Sequence, residues 1–311
     1  MASYFFCRRI TIKIDGHAGS YIIVSNTTMP EPWQTLAFIN AHPRDKEVRF
    51  VEKTHTYFVK GSSKGIVSTT GFVHSFFSHF DPEAAIRKMK ASANWPNSKY
   101  FGQSDQEILD TWSSSGKEAS GLGTAMHLAI EQFLNGAVNR IDEAVKLTKE
   151  WEYFQNFWKD VHQDLEPYRT EWEVWDEDHK LTGSIDMIFR RKSDGAFVIY
   201  DWKRSKEIKQ ENKFEGGLGP MAHLPNTNYW HYTLQLNVYR WFLQKNYGLK
   251  IVDLCIVIMH PNNTNYQSFH LNILEDEVME MMECRMRSVK AGSKEPVIFE
   301  DVPCLLQDEE D

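Results

Sequence analysis

No stretch of this 311-residue chain approaches the roughly 20 consecutive apolar residues that a membrane-crossing helix requires. Its start, Met1 to Ile10, places Arg8 and Arg9 where a secretory leader would need an apolar run. Both absences lead to the expectation of a soluble, intracellular protein of the cytoplasm or nucleus that is not secreted. Cysteine is scarce as well: Cys7, Cys255, Cys284 and Cys304 lie far apart and form no CxxC, which argues against a zinc ribbon or a dense disulfide framework and for free thiols. There is no HExxH helix, no GxxxxGK[ST] phosphate loop and no GxSxG elbow, so the usual marks of metalloproteases, P-loop enzymes and serine hydrolases are missing. No repeat or low-complexity tract appears.

Positive charge is also short, with 35 Lys and Arg against 43 Asp and Glu and a net charge of -8. Taken whole, that balance speaks against a phosphate-rich partner, because basic surface normally supplies most of the affinity for one. The deficit is local, however. From Glu275 onward there are 12 acidic residues against 4 basic ones, and the first 274 residues hold 31 of each. This acidic end is read as a solvated helix and tail, with an autoinhibitory DNA mimic as the sharper alternative.

What the chain does have is an ordinary apolar fraction, 41%, enough for a real core. Alternation over residues 8 to 25 predicts a hairpin turning around Gly16 to Gly19, and Val48 to Val59 predicts a second one before a helix rich in Phe and His. DPEAAIRKM and DQEILDTW between Asp81 and Lys117 give two short amphipathic helices. Beyond Gly116 come helices at about 118–134 and 141–161, strands near 170–176, 181–190 and 196–202, a helix at about 228–246, a strand at 250–259, and a last strand and helix. The expected organisation is an N-terminal β/helical extension (1–115), an α/β core with a central mixed sheet in the order αβββαβ (116–292), and an acidic tail (293–311).

Chemistry concentrates in four places. In GTAMHLAIEQF, His127 and Glu131 are four apart on one helix face beside the apolar Met126, Ile130 and Phe133. Alone, such a pair is commonly a surface contact. In LTGSIDMIF and FVIYDWKRS, Asp186, Asp201 and Lys203 interrupt otherwise apolar strands, where a carboxylate is costly unless paired or metal-bound. Asp201 and Lys203, two apart, face the same way, and Asp186 on the adjacent strand can point into the same space. Two acids collect a hard cation such as Mg²⁺, and a lysine beside them orients or deprotonates water, which is chemistry for phosphodiester hydrolysis. The competing reading is an ion pair of Asp201 with Lys203 or Arg204. Lastly, QLNVY repeats the i, i+4 polar pair with Gln235 and Tyr239.

In that order, GTAMHLAIE, GSIDMIF, DWK and QLNVY resemble the signatures of RecB-like PD-(D/E)xK nucleases, the group that includes Cas4 and the mitochondrial genome maintenance exonuclease, with lambda exonuclease more distant. A free-standing chain of this size is similar to those of phages and large DNA viruses. The resemblance covers about residues 118 to 245 and implies a restriction-endonuclease-like fold. It implies metal ligation by His127, Asp186, Asp201 and the Trp202 carbonyl, catalysis by Asp186, Asp201, Lys203 and the helix acid Glu131, and substrate contact by Gln235, Tyr239, Arg204 and Ser205. Where the group writes PD, this chain has Ser184-Ile185-Asp186. Implied cofactors are one or two Mg²⁺ or Mn²⁺ ions, and the cysteine spacing leads us to expect no iron-sulfur cluster. The implied activity is DNA hydrolysis, as an exonuclease rather than an endonuclease, alongside replication or recombination proteins. A non-catalytic nucleic-acid-binding module, an RNA-cleaving variant and a small-molecule phosphatase are the alternatives.

Two further features stay open. Arg190, Arg191, Lys192, Arg204, Lys206, Lys209 and Lys213 either line a backbone path or form solvated faces. Tyr229, Trp230 and Tyr232 either stack on unpaired bases or pack in the core. The segment 206–228 is a flexible insertion beside the site.

Overall fold

The computed structural model describes residues 9–14, 17–22 and 30–299. Strands β1 (Arg9–Ile14) and β2 (His17–Ile22) form the expected first hairpin, paired as far as Ile14 with His17. Ala18 and Gly19, placed in the turn by sequence, are therefore strand residues. The acidic tail beyond residue 299 and the thiols Cys7 and Cys304 lie outside the described residues, whereas Cys255 and Cys284 are free and buried.

A short helix, α1 (Thr35–Ile39), and the hairpin of β3 (Val48–Val51) with β4 (Thr56–Val59) precede β5 (Val67–Ser68) and α2 (Thr69–His74). Next, α3 (Pro82–Ala91) starts at an Asp81 cap with proline in its first turn. The two helices expected at DQEILDTW and at 118–134 are one. Helix α4 runs from Asp105 to Leu134, about 45 Å at 1.5 Å per residue, because the Ser104/Glu107 capping box secures its start and Met126, Ala129 and Ile130 bury its end. The expected boundary between residues 115 and 116 thus falls inside a helix. Conversely, the helix expected at 141–161 is broken, since Thr148 caps a fresh start: α5 (Glu143–Lys146) is followed by α6 (Lys149–Val161).

Then come β6 (Leu165–Asp176), β7 (Leu181–Arg191), β8 (Phe197–Lys203), α7 (Asn228–Asn246), β9 (Ile251–Ile258), β10 (Gln267–His270) and α8 (Glu275–Ala291). From α4 onward this is the αβββαβ order. The sheet is mixed: β6–β7, β7–β8 and β9–β10 are antiparallel, while β8–β9 and the short β5–β7 contact are parallel. Alternation along β8 divides the core between its faces. Val198, Tyr200 and Trp202 pack with α4 and α6 residues such as Ile130 and Phe154, and Ile199 packs with Leu236 and Phe242 of α7 and with α2 and α8. No helix among the described residues is long and apolar enough to cross a membrane.

Candidate active site

Strands β7 and β8 part company where the acids sit. Their pairing ends at Met187 with Tyr200, and Asp186 and Asp201 come one residue beyond it on each strand. β6 pairs along one edge of β7 from Leu181 to Arg191, with a break at Asp186, so β5, which pairs with Leu181 and Thr182, takes the same edge as β8 further along. A fork results between β5 and β8. There the Asp186 carboxylate accepts the Trp202 N–H at 2.9 Å in place of a ladder partner, which fixes Asp186 to the diverging strand.

His127 reaches the fork from α4. Its Nε2 lies 2.8 Å from the Trp202 carbonyl, and because a carbonyl only accepts, Nε2 carries the hydrogen. The Trp202 carbonyl, expected as a ligand, therefore serves first to orient the imidazole. This turns Nδ1 toward Asp186 Oδ2 at 3.5 Å and Glu171 Oε1 at 3.6 Å. Ligand atoms of His127, Glu171 and Asp186 all lie within 4.8 Å of one another, the spacing of a metal shell. On β8, Lys203 Nζ lies 2.5 Å from Asp201 Oδ2, a buried ion pair at the mouth of the fork.

Glu171 is the residue the sequence did not single out. In TEWEVW it looks like the outward member of an alternating strand, and only its neighbour on the folded sheet reveals it. Its backbone adopts φ 41°, the left-handed region, in mid-strand, and no pair joins it to Asp186 although Thr170 and Trp172 pair on either side. Such a conformation in a non-glycine residue costs energy and concentrates at functional positions.

The electrostatics are those of a site with surplus negative charge. Burial and the neighbouring Asp186 push the Asp201 carboxyl above the usual range, and burial does the same to Asp186 against the pull of His127 and Lys203. Burial opposes charge on His127 and Lys203 too, but Asp186 and Glu171 outweigh it and raise the imidazole to about 9, while Asp201 and Asp186 hold the Lys203 ammonium well above the lysine range. Glu131, one turn along α4 from His127, is buried and raised to about 7 by burial and Glu171, although the Gln34 amide hydrogen-bonds it at 2.8 Å. Acids of this kind in one buried pocket fit a divalent cation between them.

The other sequence-predicted residues are distributed unevenly. Tyr239 is 3% exposed and covers Gly183, where a Cβ would stand 2.5 Å from its hydroxyl. The GSID glycine therefore makes room for the QxxxY tyrosine. Gln235 faces a cavity beside Lys203 and donates to Thr70 at 3.0 Å. Arg204 is tied to Glu150 at 2.7 Å in a mostly buried pair that anchors the end of β8 to α6. Ser205 Oγ donates to the Glu207 carbonyl on the rim of an open groove. Arg190, Arg191 and Lys192 lie at the other end of β7, where Arg190 and Arg191 pair with Glu166 and Asp194, so they do not line the fork. Tyr229 is buried in the core, Trp230 holds the Gln210 carbonyl, and Tyr232 lines the cavity with Lys203 5.0 Å over its ring.

Residues 98–297 match the PD-(D/E)XK nuclease superfamily. Among solved structures, similarity extends to the protein named Putative exonuclease from Eubacterium rectale, at 14% identity and TM-score 0.35 over 61% of this chain and 77% of that one. It extends also to SSO0001, at 15% identity and TM-score 0.33 over 76% of this chain and 80% of the other. No match was found among curated proteins. The matched stretch takes in α4, the forked strands, the QxxxY helix and α8, more than half of the chain, and the chain belongs to the PD-(D/E)XK nuclease superfamily.

Proposed function

We propose that the protein is a divalent-cation-dependent deoxyribonuclease acting as an exonuclease on DNA ends in replication, recombination or repair. The observation that carries this reading is the convergence of His127, Glu171, Asp186, Asp201 and Lys203 at the strand fork. His127 Nδ1 with the Glu171 and Asp186 carboxylates would hold the cation, and Asp201 stands beside them. A donor set of one imidazole and hard carboxylate oxygens suits Mg²⁺ or Mn²⁺. When bound, the cation supplies polarisation of a phosphoryl oxygen and a lowered pKa for water.

The chain's own groups account for the rest. Asp201 holds Lys203 at the fork, where its ammonium orients the attacking water and offsets charge gathering on the phosphate. The Trp202 backbone serves both sides, its N–H on Asp186 and its carbonyl on His127, so the ligand set is built before any substrate arrives. Tyr239 and Gln235 keep α7 against the fork, and Ser205 with the free edge of Arg204 faces the emerging strand.

The test uses end-labelled linear and closed circular DNA with the wild type, Lys203→Ala and Glu171→Ala, in Mg²⁺, Mn²⁺ or chelator. Wild-type degradation that needs metal and a free end is expected, with at least a hundredfold loss for Lys203→Ala and weaker Mn²⁺ binding by calorimetry for Glu171→Ala. Cutting of circles would replace the exonuclease reading with an endonuclease, and no metal-dependent cleavage of any DNA would overturn it.

A further inference from the structure

Two cavities share Asn228 as a wall, and Lys203 lines one of them. The inner one, about 270 Å³, is lined by Lys203, Tyr232, Gln235, Thr70, His74 and His231. The outer one is an open groove of about 770 Å³ with Lys206, Lys209, Lys213 and Phe214 on its walls. Asn228, the first residue of α7, borders both. The inner volume falls just below the usual range of ligand pockets, about 300–1,000 Å³, which leaves room for no more than one nucleotide. Burial lowers both of its histidines below their usual range, His231 to about 4, so near neutrality its walls offer neutral hydrogen-bonding groups and an aromatic ring beside a single lysine.

The junction carries a second signal. Thr227 caps the 19-residue helix α7, but its side chain makes no capping bond, and its hydroxyl is buried, unpartnered and on the groove wall, in a residue only 8% exposed. The first turn of α7 contains no acid. A helix start with an idle donor suits a phosphate, whose charge the helix dipole favours.

Phe214 is the third signal, at 95% exposure the most exposed large apolar side chain among the described residues. It is displayed rather than loose. The Asn212 side chain accepts the Phe214 and Glu215 N–H groups, and Asn212 in turn donates to the Asn226 carbonyl, which fixes the turn that holds the ring out. Nearby, Lys206 and Lys213 have no salt-bridge partner among the described residues.

We propose that the two cavities form one track for a single unpaired polynucleotide strand: its last nucleotide lies in the inner cavity, a phosphate meets Thr227 at the start of α7, and a following base stacks on Phe214. Only an unpaired base offers its face to such a ring, and the lysines run beside the backbone. This inference rests on the nuclease reading above and names its substrate as single-stranded.

The full-length protein in chelator is titrated with labelled oligo-dT of about 20 nucleotides and with a blunt duplex of equal length, by fluorescence anisotropy. Phe214→Ala is expected to weaken oligo-dT binding about tenfold, the loss of one stacked base, without changing duplex binding, and Phe214→Trp to restore it. Thr227→Val, which keeps shape and removes the hydroxyl, is expected to weaken oligo-dT binding several-fold with unchanged helicity by circular dichroism. Wild-type affinity in Phe214→Ala, or equal loss on strand and duplex, would overturn the track. A wild type that cleaves nothing while Phe214→Ala loses strand binding would instead overturn the nuclease reading and leave the track standing.

Discussion

At Gly183 the two motifs that frame the fork meet in one contact, the Tyr239 hydroxyl standing where a Cβ would go and the Thr69 hydroxyl 3.0 Å from that point. Gly183→Ala should cost about 1–3 kcal/mol, as overpacking does in a tight core. The tyrosine hydroxyl is the nearer offender, so adding Tyr239→Phe should recover part of that loss, and urea denaturation of the single and double variants measures it. Glu131 yields a prediction about pH. Its folded-state carboxyl, raised to about 7 chiefly by burial, keeps its proton while the unfolded chain releases one near 4.5, so stability from this group falls as pH rises between those values. In chelator, Glu131→Gln should therefore match the wild type near pH 4.5 and exceed it at pH 8 by about 1–3 kcal/mol, read as a widening gap in Tm. Residue by residue, the meeting of Asp186, Asp201 and Lys203 was legible because charged groups inside apolar strands need a reason to be there, whereas His127, on a helix, was joined to them only by the family resemblance. Glu171 was not, because its role depends on a left-handed backbone that no alternation pattern announces.

Helix α4 shows where elements escape a sequence reading. Ser113-Ser-Ser-Gly116 looks like an interruption, and the exposed run 113–122 gives it no packing to compensate, yet the helix continues because it is anchored at both ends. Propensity describes the local cost, and tertiary contacts decide the outcome. Nothing lies within 4 Å of a Cβ built at Gly116 or Gly121. Gly121→Ala should accordingly add about 1 kcal/mol to the helix and slow amide exchange across residues 113–122, with little effect on the fork. The break at Thr148 is the opposite case. A capping residue inside an amphipathic pattern reads as part of the helix until the backbone shows that it starts a new one.

At the scale of the whole molecule, the helix and strand order could be read, and so could the adjacency of the strands that carry Asp186 and Asp201, which a short turn joins, but the parallel partners could not, since periodicity carries no information on pairing across a crossover. That β9 lies parallel to β8, and that β5 shares an edge of β7 with β8, are consequences of crossover connections closing on the same sheet. The same holds for the segment before the nuclease match. Residues 34–50 run along the outer side of β6: Asn40 and Arg44 donate to the Tyr168 and Trp175 carbonyls at 2.8 Å, Asp45 pairs with Arg169, and the Phe50 N–H reaches Glu173. Those carbonyls belong to an edge strand of 12 residues, and an edge of that length left bare is a template on which a second copy of the sheet can grow. By placing side chains there instead of another strand, the segment covers part of that edge, so residues outside the family match stand where a second sheet would have to add.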